Sequence, residues 1–248
     1  LAVGGLVLAV QEGPEQGWTA TITIIGFVIG IAAAVGFVVV ELRREHPLLD
    51  VRLFRNEGLT TGSVNLFVVF ALMFAIFLIL VQFLQAVLGY TALHAATGLL
   101  PMAVMMMPLS TVAPTIAHKI GYRRTVVTGM LTLAAGLALL ALLADANRGY
   151  LSILPGLLLI GAGVGLAMSP STTAITSSLT EDKQGVASAL NDTVREIGAA
   201  MGLALIGSVL NSRFRTNITE LANTYPAETA IRIKEGIGGA LSTAAQLG

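Results

Sequence analysis

The chain has 248 residues, of which 55% are hydrophobic and only 11% charged, with formal net charge zero and no cysteine. A soluble domain carries roughly 25% charged residues, so the composition excludes an ordinary soluble domain, and the absence of net positive charge argues against a nucleic-acid surface. Disulfides, cysteine metal sites and thiol catalysis are excluded outright.

The chain opens inside an apolar run, Leu1–Val10, with no charged segment before it and no small-residue cleavage pattern. It reads as the end of a membrane helix rather than a signal peptide. Crossing a hydrocarbon core about 30 Å thick takes about 20 apolar residues. Six such segments follow: Ala20–Val40, Gly62–Leu88, Ala95–Ala117, Thr125–Ala144, Leu151–Thr176 and Val186–Leu210. None alternates like a barrel strand, so each is predicted to be helical. The expected fold class is therefore all-α, a polytopic transmembrane helical bundle of six full spans plus a partial first one.

In chain order, the first full span carries Gly26 and Gly30, a small-residue pair suited to close helix approach; Gly161 with Gly165 and Gly198 with Gly202 repeat the pattern in later spans. The loop 41–58 holds Arg43, Arg44, Arg52 and Arg55. The second span holds three amides, Asn65 near its start and Gln82 and Gln85 near its end, three apart and predicted to share a face. Buried amides seek partners; a substrate path and interhelical hydrogen bonding are both open. The third span contains Pro101, Pro108 and Pro114, with Met102, Met105, Met106 and Met107 between them. Proline frees backbone carbonyls and kinks helices, and methionine adapts to varied apolar partners. An adaptable substrate lining and ordinary packing are the two readings.

The loop after this span holds His118, Lys119, Gly121, Arg123 and Arg124, and the loop before the last span holds Lys183. Counted alternately, one set of loops carries eight Lys and Arg, whereas loops 11–19, 89–94 and 145–150 carry only Arg148. Positive charges stay on the cytoplasmic side, which places the first set there. Arg213, Arg215, Arg232 and Lys234, beyond the last span, run against that bias. Residues 211–248 are the least hydrophobic stretch, with a short amphipathic helix predicted near Glu228–Lys234.

Five spans contain no charged residue, whereas the last contains Asp192, Arg195 and Glu196, followed by only 14 residues to its end at Leu210. The hydrocarbon core must reach back over these charges. Asp192 and Arg195, three apart, share a helix face, as do Asn191 and Arg195, four apart; Glu196 is turned away from Arg195. Charges in a membrane are costly and face a bundle interior or a wet cavity. A substrate-binding network and an internally paired cluster with Arg195 snorkelling outward are both consistent with the pattern. His46, His94 and His118 show no metal-ligand spacing, and no nucleophile–base set lies in a span, which weakens the reading of a membrane enzyme acting on lipid.

Several stretches resemble one family. Gly17–Asn56 is similar to a linker helix and its cytoplasmic connection, Leu80–Val104 to a helix 9 to helix 10 passage, and Gly185–Leu210 to helix 13, of the fourteen-helix drug–proton antiporters in the major facilitator superfamily. Pro114–Arg123 is similar to the second copy of that family's loop signature, Gly-x-Leu-x-Asp-Arg-x-Gly-Arg-Arg. Gly121, Lys119 and Arg123 match it and Arg124 adds a charge, while Pro114 stands at the first glycine and His118 at the aspartate. The resemblance implies a partial major-facilitator fold: residues 1–10 the end of a truncated helix, 20–40 a linker helix, 41–61 a cytoplasmic connection, 62–210 a C-terminal transporter bundle of five spans, and 211–248 an extracytoplasmic segment before a final helix. It implies a multi-pass protein of the plasma (inner) membrane, probing as its partners the lipid bilayer, a small-molecule substrate, a proton and the missing N-terminal bundle of the same protein. Neither a cofactor nor a metal is called for. The implied function is proton-coupled efflux of small apolar or cationic compounds, with Asn191, Asp192, Arg195, Gln82, Gln85 and Asn65 on the substrate pathway and His118, Lys119, Gly121, Arg123 and Arg124 in a gating loop. A non-transporting truncated or partner half is the rival expectation.

Overall fold

The computed structural model describes residues 1–44, 51–234, 236, 239–240 and 242–243. Its helices are α1 (Ala2–Gln16), α2 (Thr21–Arg43), α3 (Glu57–Gln82), α4 (Ala92–Gly98), α5 (Leu100–Ile120), α6 (Tyr122–Leu143), α7 (Leu154–Ser177), α8 (Gln184–Ala222) and α9 (Ala227–Lys234). There is no strand among the described residues. Six helical stretches are long and apolar enough to cross a membrane: Thr21–Arg43, Glu57–Val87, Ala92–Ile120, Tyr122–Leu143, Leu154–Ser177 and Glu181–Thr219. They follow the order of the six predicted spans. His46 and part of the 41–61 connection lie outside the described residues.

The chain divides into two compact units, residues 1–36 with 203–248, and residues 37–202. In the first, α1 and the start of α2 meet across small residues. A Cβ on Gly5 would lie 2.7 Å from the backbone nitrogen of Gly30, and one on Gly26 would lie 3.0 Å from the Ala9 side chain. Ser208 donates to the Gln11 carbonyl at 3.1 Å. Beyond the apolar part of α8, Ile218 and Ala222 pack with Ala230, Ile233 and Ala240.

The second unit is organised around α7. Helices in lipid gain little from hiding apolar surface from one another, so close packing through small residues holds them. One face of α7 sets Gly161 and Gly165 against the Met102 and Met106 carbonyls of α5, where added Cβ atoms would stand 2.1 and 2.7 Å away. Another sets Gly156 and Gly163 against α6, which answers with Gly129 and Gly136. Gly62 of α3 abuts the Ser171 carbonyl of α7. Helix α8 lies along α3 through Gly198 against Phe67 and Gly202 against Ala71. Leu59, Leu66, Leu84, Leu133, Leu157, Ile160 and Ile175 fill the space between these helices.

Three local features differ from the sequence expectations. The third span is not one helix: α4 ends at Gly98 and α5 begins at Leu100, with Pro101 at its first turn. Proline lacks the N–H that would continue the ladder and crowds the preceding turn, so the helix breaks there, while α5 runs on through Pro108 and Pro114. The second span ends in a π turn, Phe83–Val87, with the Leu88 N–H bonded to the Phe83 carbonyl at 3.1 Å. The last span belongs to a helix that continues to Ala222. Hydropathy marks where apolar surface stops, not where the backbone ladder stops, and the Thr216 and Thr219 hydroxyls bond back to the Ser212 and Arg215 carbonyls within the continuing helix.

Candidate functional site

The charged group of the last span assembles on α8 beside α3. Arg195 Nη1 lies 3.7 Å from Asp192 Oδ1, one turn away. The guanidinium also stacks over Phe70, 4.5 Å from the ring centroid, and Phe70 lies stacked with Phe74 at 6.3 Å. A guanidinium on an aromatic face gains from the ring quadrupole, more so away from water. Asn191 is 7% exposed and donates from Nδ2 to Asp192 Oδ1 at 3.4 Å. Its own Oδ1 is buried with no hydrogen-bond partner. The side chains of Arg195 and Asp192 are 37% and 68% exposed. Asn191, Asp192 and Arg195 thus come together as the spacing implies. Phe70 was missed, because only the pairing of α3 with α8 brings it there.

The amides of α3 divide. Asn65 donates across to α7, to the Ser171 hydroxyl at 2.5 Å and the Ala167 carbonyl at 3.3 Å. Ser171 is fully buried, donates to Ala167 at 2.7 Å, and has the Tyr122 hydroxyl 3.5 Å away. Asn65 is therefore an interhelical tie joining α3 to α7 beside α6. Gln82 and Gln85 do not share a face. Gln82 is half-buried with Oε1 enclosed and unpartnered, whereas Gln85 is exposed. The π turn separates them, since it turns less per residue than an α turn and leaves residues three apart further short of a full revolution. Of the four methionines, Met102 and Met106 pack on the core and Met107 is 65% exposed.

Gly121 alone connects α5 to α6. It sits at φ 93°, a conformation open to glycine, and its N–H bonds to the Ala117 carbonyl at 2.9 Å. His118, Lys119, Arg123 and Arg124 are all exposed around this turn. Beside it opens a cavity of about 330 Å³, lined by Pro114, Ala117 and His118 of α5, Tyr122 of α6, Pro170, Thr173, Ala174 and Ser177 of α7, Ser178 and Gly58. Pro114 and Pro170 give smooth apolar walls, and the hydroxyls of Thr173 and Ser178 are already given to carbonyls of their own helix.

Comparison with known proteins agrees with this architecture. A family model described as the Major Facilitator Superfamily matches residues 1–203. Multidrug resistance protein Stp of Mycobacterium tuberculosis is 34% identical over 210 residues, 85% of this chain and 39% of that protein. Multidrug efflux pump LfrA of Mycolicibacterium smegmatis is 30% identical over 242 residues, covering 98% of this chain and 47% of the pump. Multidrug transporter protein MdtP of Bacillus subtilis is 28% identical over 91% of this chain and 42% of its own length. The chain thus spans less than half the length of these relatives. With a family match over most of its residues and an all-α bundle of six apolar helices long enough to cross a membrane, the chain belongs to the Major Facilitator Superfamily.

Proposed function

We propose that this chain is the C-terminal part of a plasma-membrane (inner-membrane) multidrug transporter that exports small apolar or cationic compounds in exchange for protons. The observation that carries the reading is the polar group inside a span: Arg195 held between Asp192 and the Phe70 ring, next to the buried Asn191. Intramembrane ionisable groups are expensive and mark ligand or ion pathways. The multidrug relatives supply the substrate class, and proton coupling follows from the family branch that the sequence resembles. In this reading Asn191, Asp192 and Arg195 contact substrate from one side, Gln82 and Gln85 lie further along the path, and Asn65 ties the helices around it. The remaining surface of the cavity comes from the N-terminal bundle of the same protein. The one-residue turn at Gly121, with His118, Lys119, Arg123 and Arg124, forms the cytoplasmic gate. Residues 62–210 then constitute the transporter bundle and 20–40 the linker helix.

The test uses the intact protein in everted membrane vesicles. Ethidium accumulates in them when a proton gradient is imposed, and a protonophore collapses the uptake. Arg195→Gln, checked for unchanged membrane abundance, lowers uptake about tenfold, the loss expected from about 1.4 kcal/mol of binding. Uptake that ignores the protonophore removes proton coupling; the absence of uptake removes the transport reading.

A further inference from the structure

We infer that the cavity beside Gly121 binds an anionic phospholipid of the cytoplasmic leaflet, with an acyl chain in the cavity and the headgroup phosphate on Lys119, Arg123 and Arg124. The assignment deepens the gate of the transporter reading above and rests on its cytoplasmic placement. Depth comes first. Helix α5 ends at Ile120 and α6 begins at Tyr122, so Gly121 is the whole connection. A turn of one residue cannot carry its neighbours out into solution. Ile120 is apolar and 46% exposed, which favours keeping the turn against the hydrocarbon. Lys119, Arg123 and Arg124 therefore stand at the level of the lipid headgroups, where cations are drawn to the negative surface of the cytoplasmic leaflet.

These cations have no protein partner. All three are exposed, and their side chains make no hydrogen bond or ion pair among the described residues. No Asp or Glu occurs between Glu57 and Asp145, so α5, α6 and their turn carry positive charge without any carboxylate. The acids nearest the cavity lining in the chain are Glu57, beside Gly58, and Glu181 and Asp182, after Ser178; each is exposed on another loop or helix start. The cavity, about 330 Å³, is at the small end of ligand pockets, roughly 300–1,000 Å³. Its walls take an apolar guest. Pro114, Ala117, Pro170 and Ala174 offer no side-chain donor, and the Thr173 and Ser178 hydroxyls are bonded within their own helix. The lining residues His118 and Tyr122 are followed directly by Lys119 and Arg123, so the apolar walls end next to unpaired cations. A free phosphate has no use for the walls, and a neutral apolar molecule has none for the cations. An amphiphile with an anionic head answers both, and basic pockets between membrane helices on the cytoplasmic side hold such headgroups.

The experiment measures lipid binding to the purified intact protein in detergent by native mass spectrometry, with phosphatidylglycerol and phosphatidylcholine of the same acyl chains as probes. The protein binds phosphatidylglycerol about tenfold more tightly than phosphatidylcholine. Lys119→Gln with Arg123→Gln brings phosphatidylglycerol to the phosphatidylcholine level and changes phosphatidylcholine less than about twofold, whereas Arg44→Gln, on another cytoplasmic loop, keeps the preference. Ala117→Leu and Ser177→Leu fill the cavity from two walls; at unchanged melting temperature each weakens both lipids about equally, because the acyl chain is excluded. Equal binding of the two lipids, a preference that survives the double substitution, or a loss just as large in Arg44→Gln overturns the assignment. Unchanged binding in both cavity-filling variants, as when the N-terminal bundle covers the cavity, overturns it too, and displacement of phosphatidylglycerol by a millimolar excess of inorganic phosphate reassigns the site to free anions. Binding is read without transport, so absent ethidium uptake removes the transport reading and leaves the lipid site standing.

Discussion

At Tyr150 a single hydroxyl resolves a problem created by a proline. The break at Leu99 leaves the Gly98 carbonyl outside the regular helical ladder, and the Tyr150 hydroxyl donates to it at 2.7 Å. Tyr150 lies between the spans, and burial first, then the neighbouring Tyr90, holds its phenol above the ordinary value of 10.0. A raised value in the folded protein favours the neutral phenol. The resulting stability is complete below pH 10.0 and is lost as pH rises through the raised value. Tyr150→Phe should lower stability by about 1 kcal/mol at neutral pH and remove this share of the alkaline loss; thermal unfolding of the intact protein at pH 8 to 11 checks both. Phe70→Leu should leave Arg195 with Asp192 alone and cost about 1 kcal/mol, whereas Phe74→Leu, one turn on and away from the guanidinium, should spare ligand binding. Equal effects of the two on binding would deny Phe70 its part in holding Arg195.

Among the helices, α7 owes its position to glycines on two faces. A methyl group on Gly163 would sit 2.4 Å from the Leu133 backbone nitrogen, and one on Gly161 would sit 2.1 Å from the Met102 carbonyl. Both obstacles are backbone, so neither can move aside as a flexible side chain would. Gly163→Ala should therefore cost about 1–3 kcal/mol and lower the yield of folded protein. Gly36 has nothing within 4 Å of its added Cβ and lies inside α2, so Gly36→Ala should gain about 0.5–1 kcal/mol from the smaller entropy loss. Size-exclusion recovery after graded heating compares the two. If Gly163→Ala were as stable as Gly36→Ala, close backbone contact would not be what holds α6 on α7.

For the whole molecule, the charge pattern makes a topological prediction. The turn carrying Lys119, Arg123 and Arg124 belongs in the cytoplasm and the loop carrying Asn147 outside. These 248 residues contain no cysteine, so labelling of a cysteine introduced among them is read against the unsubstituted intact protein as background. A membrane-impermeant maleimide should label Asn147→Cys in intact cells and Arg124→Cys only after permeabilisation. The reverse pattern would invert the bundle and move the cavity beside Gly121 to the outer face. The share of relatives covered by this chain, 39% of Stp and 47% of LfrA, is why every functional test here uses the intact protein.

The class, the number of spans and their order follow from the sequence by itself, because crossing hydrocarbon demands long uninterrupted apolar helices and the intervening loops are short and polar. The charges of α8 were legible for the same reason: Asp192, Arg195 and Glu196 interrupt a span that cannot do without them. The tertiary structure decided what those residues meet. Apolar helices in lipid are nearly equivalent by composition, and their pairing depends on which small residues align in three dimensions. Phe70 under Arg195, Ser171 and Ala167 opposite Asn65, and the separation of Gln82 from Gln85 by a π turn all come from that alignment or from local winding, neither of which leaves a periodic mark in the chain. The broken third span lies between these cases. Pro101 announced a disturbance, but Tyr150, far along the sequence, supplies the hydrogen bond that the break requires.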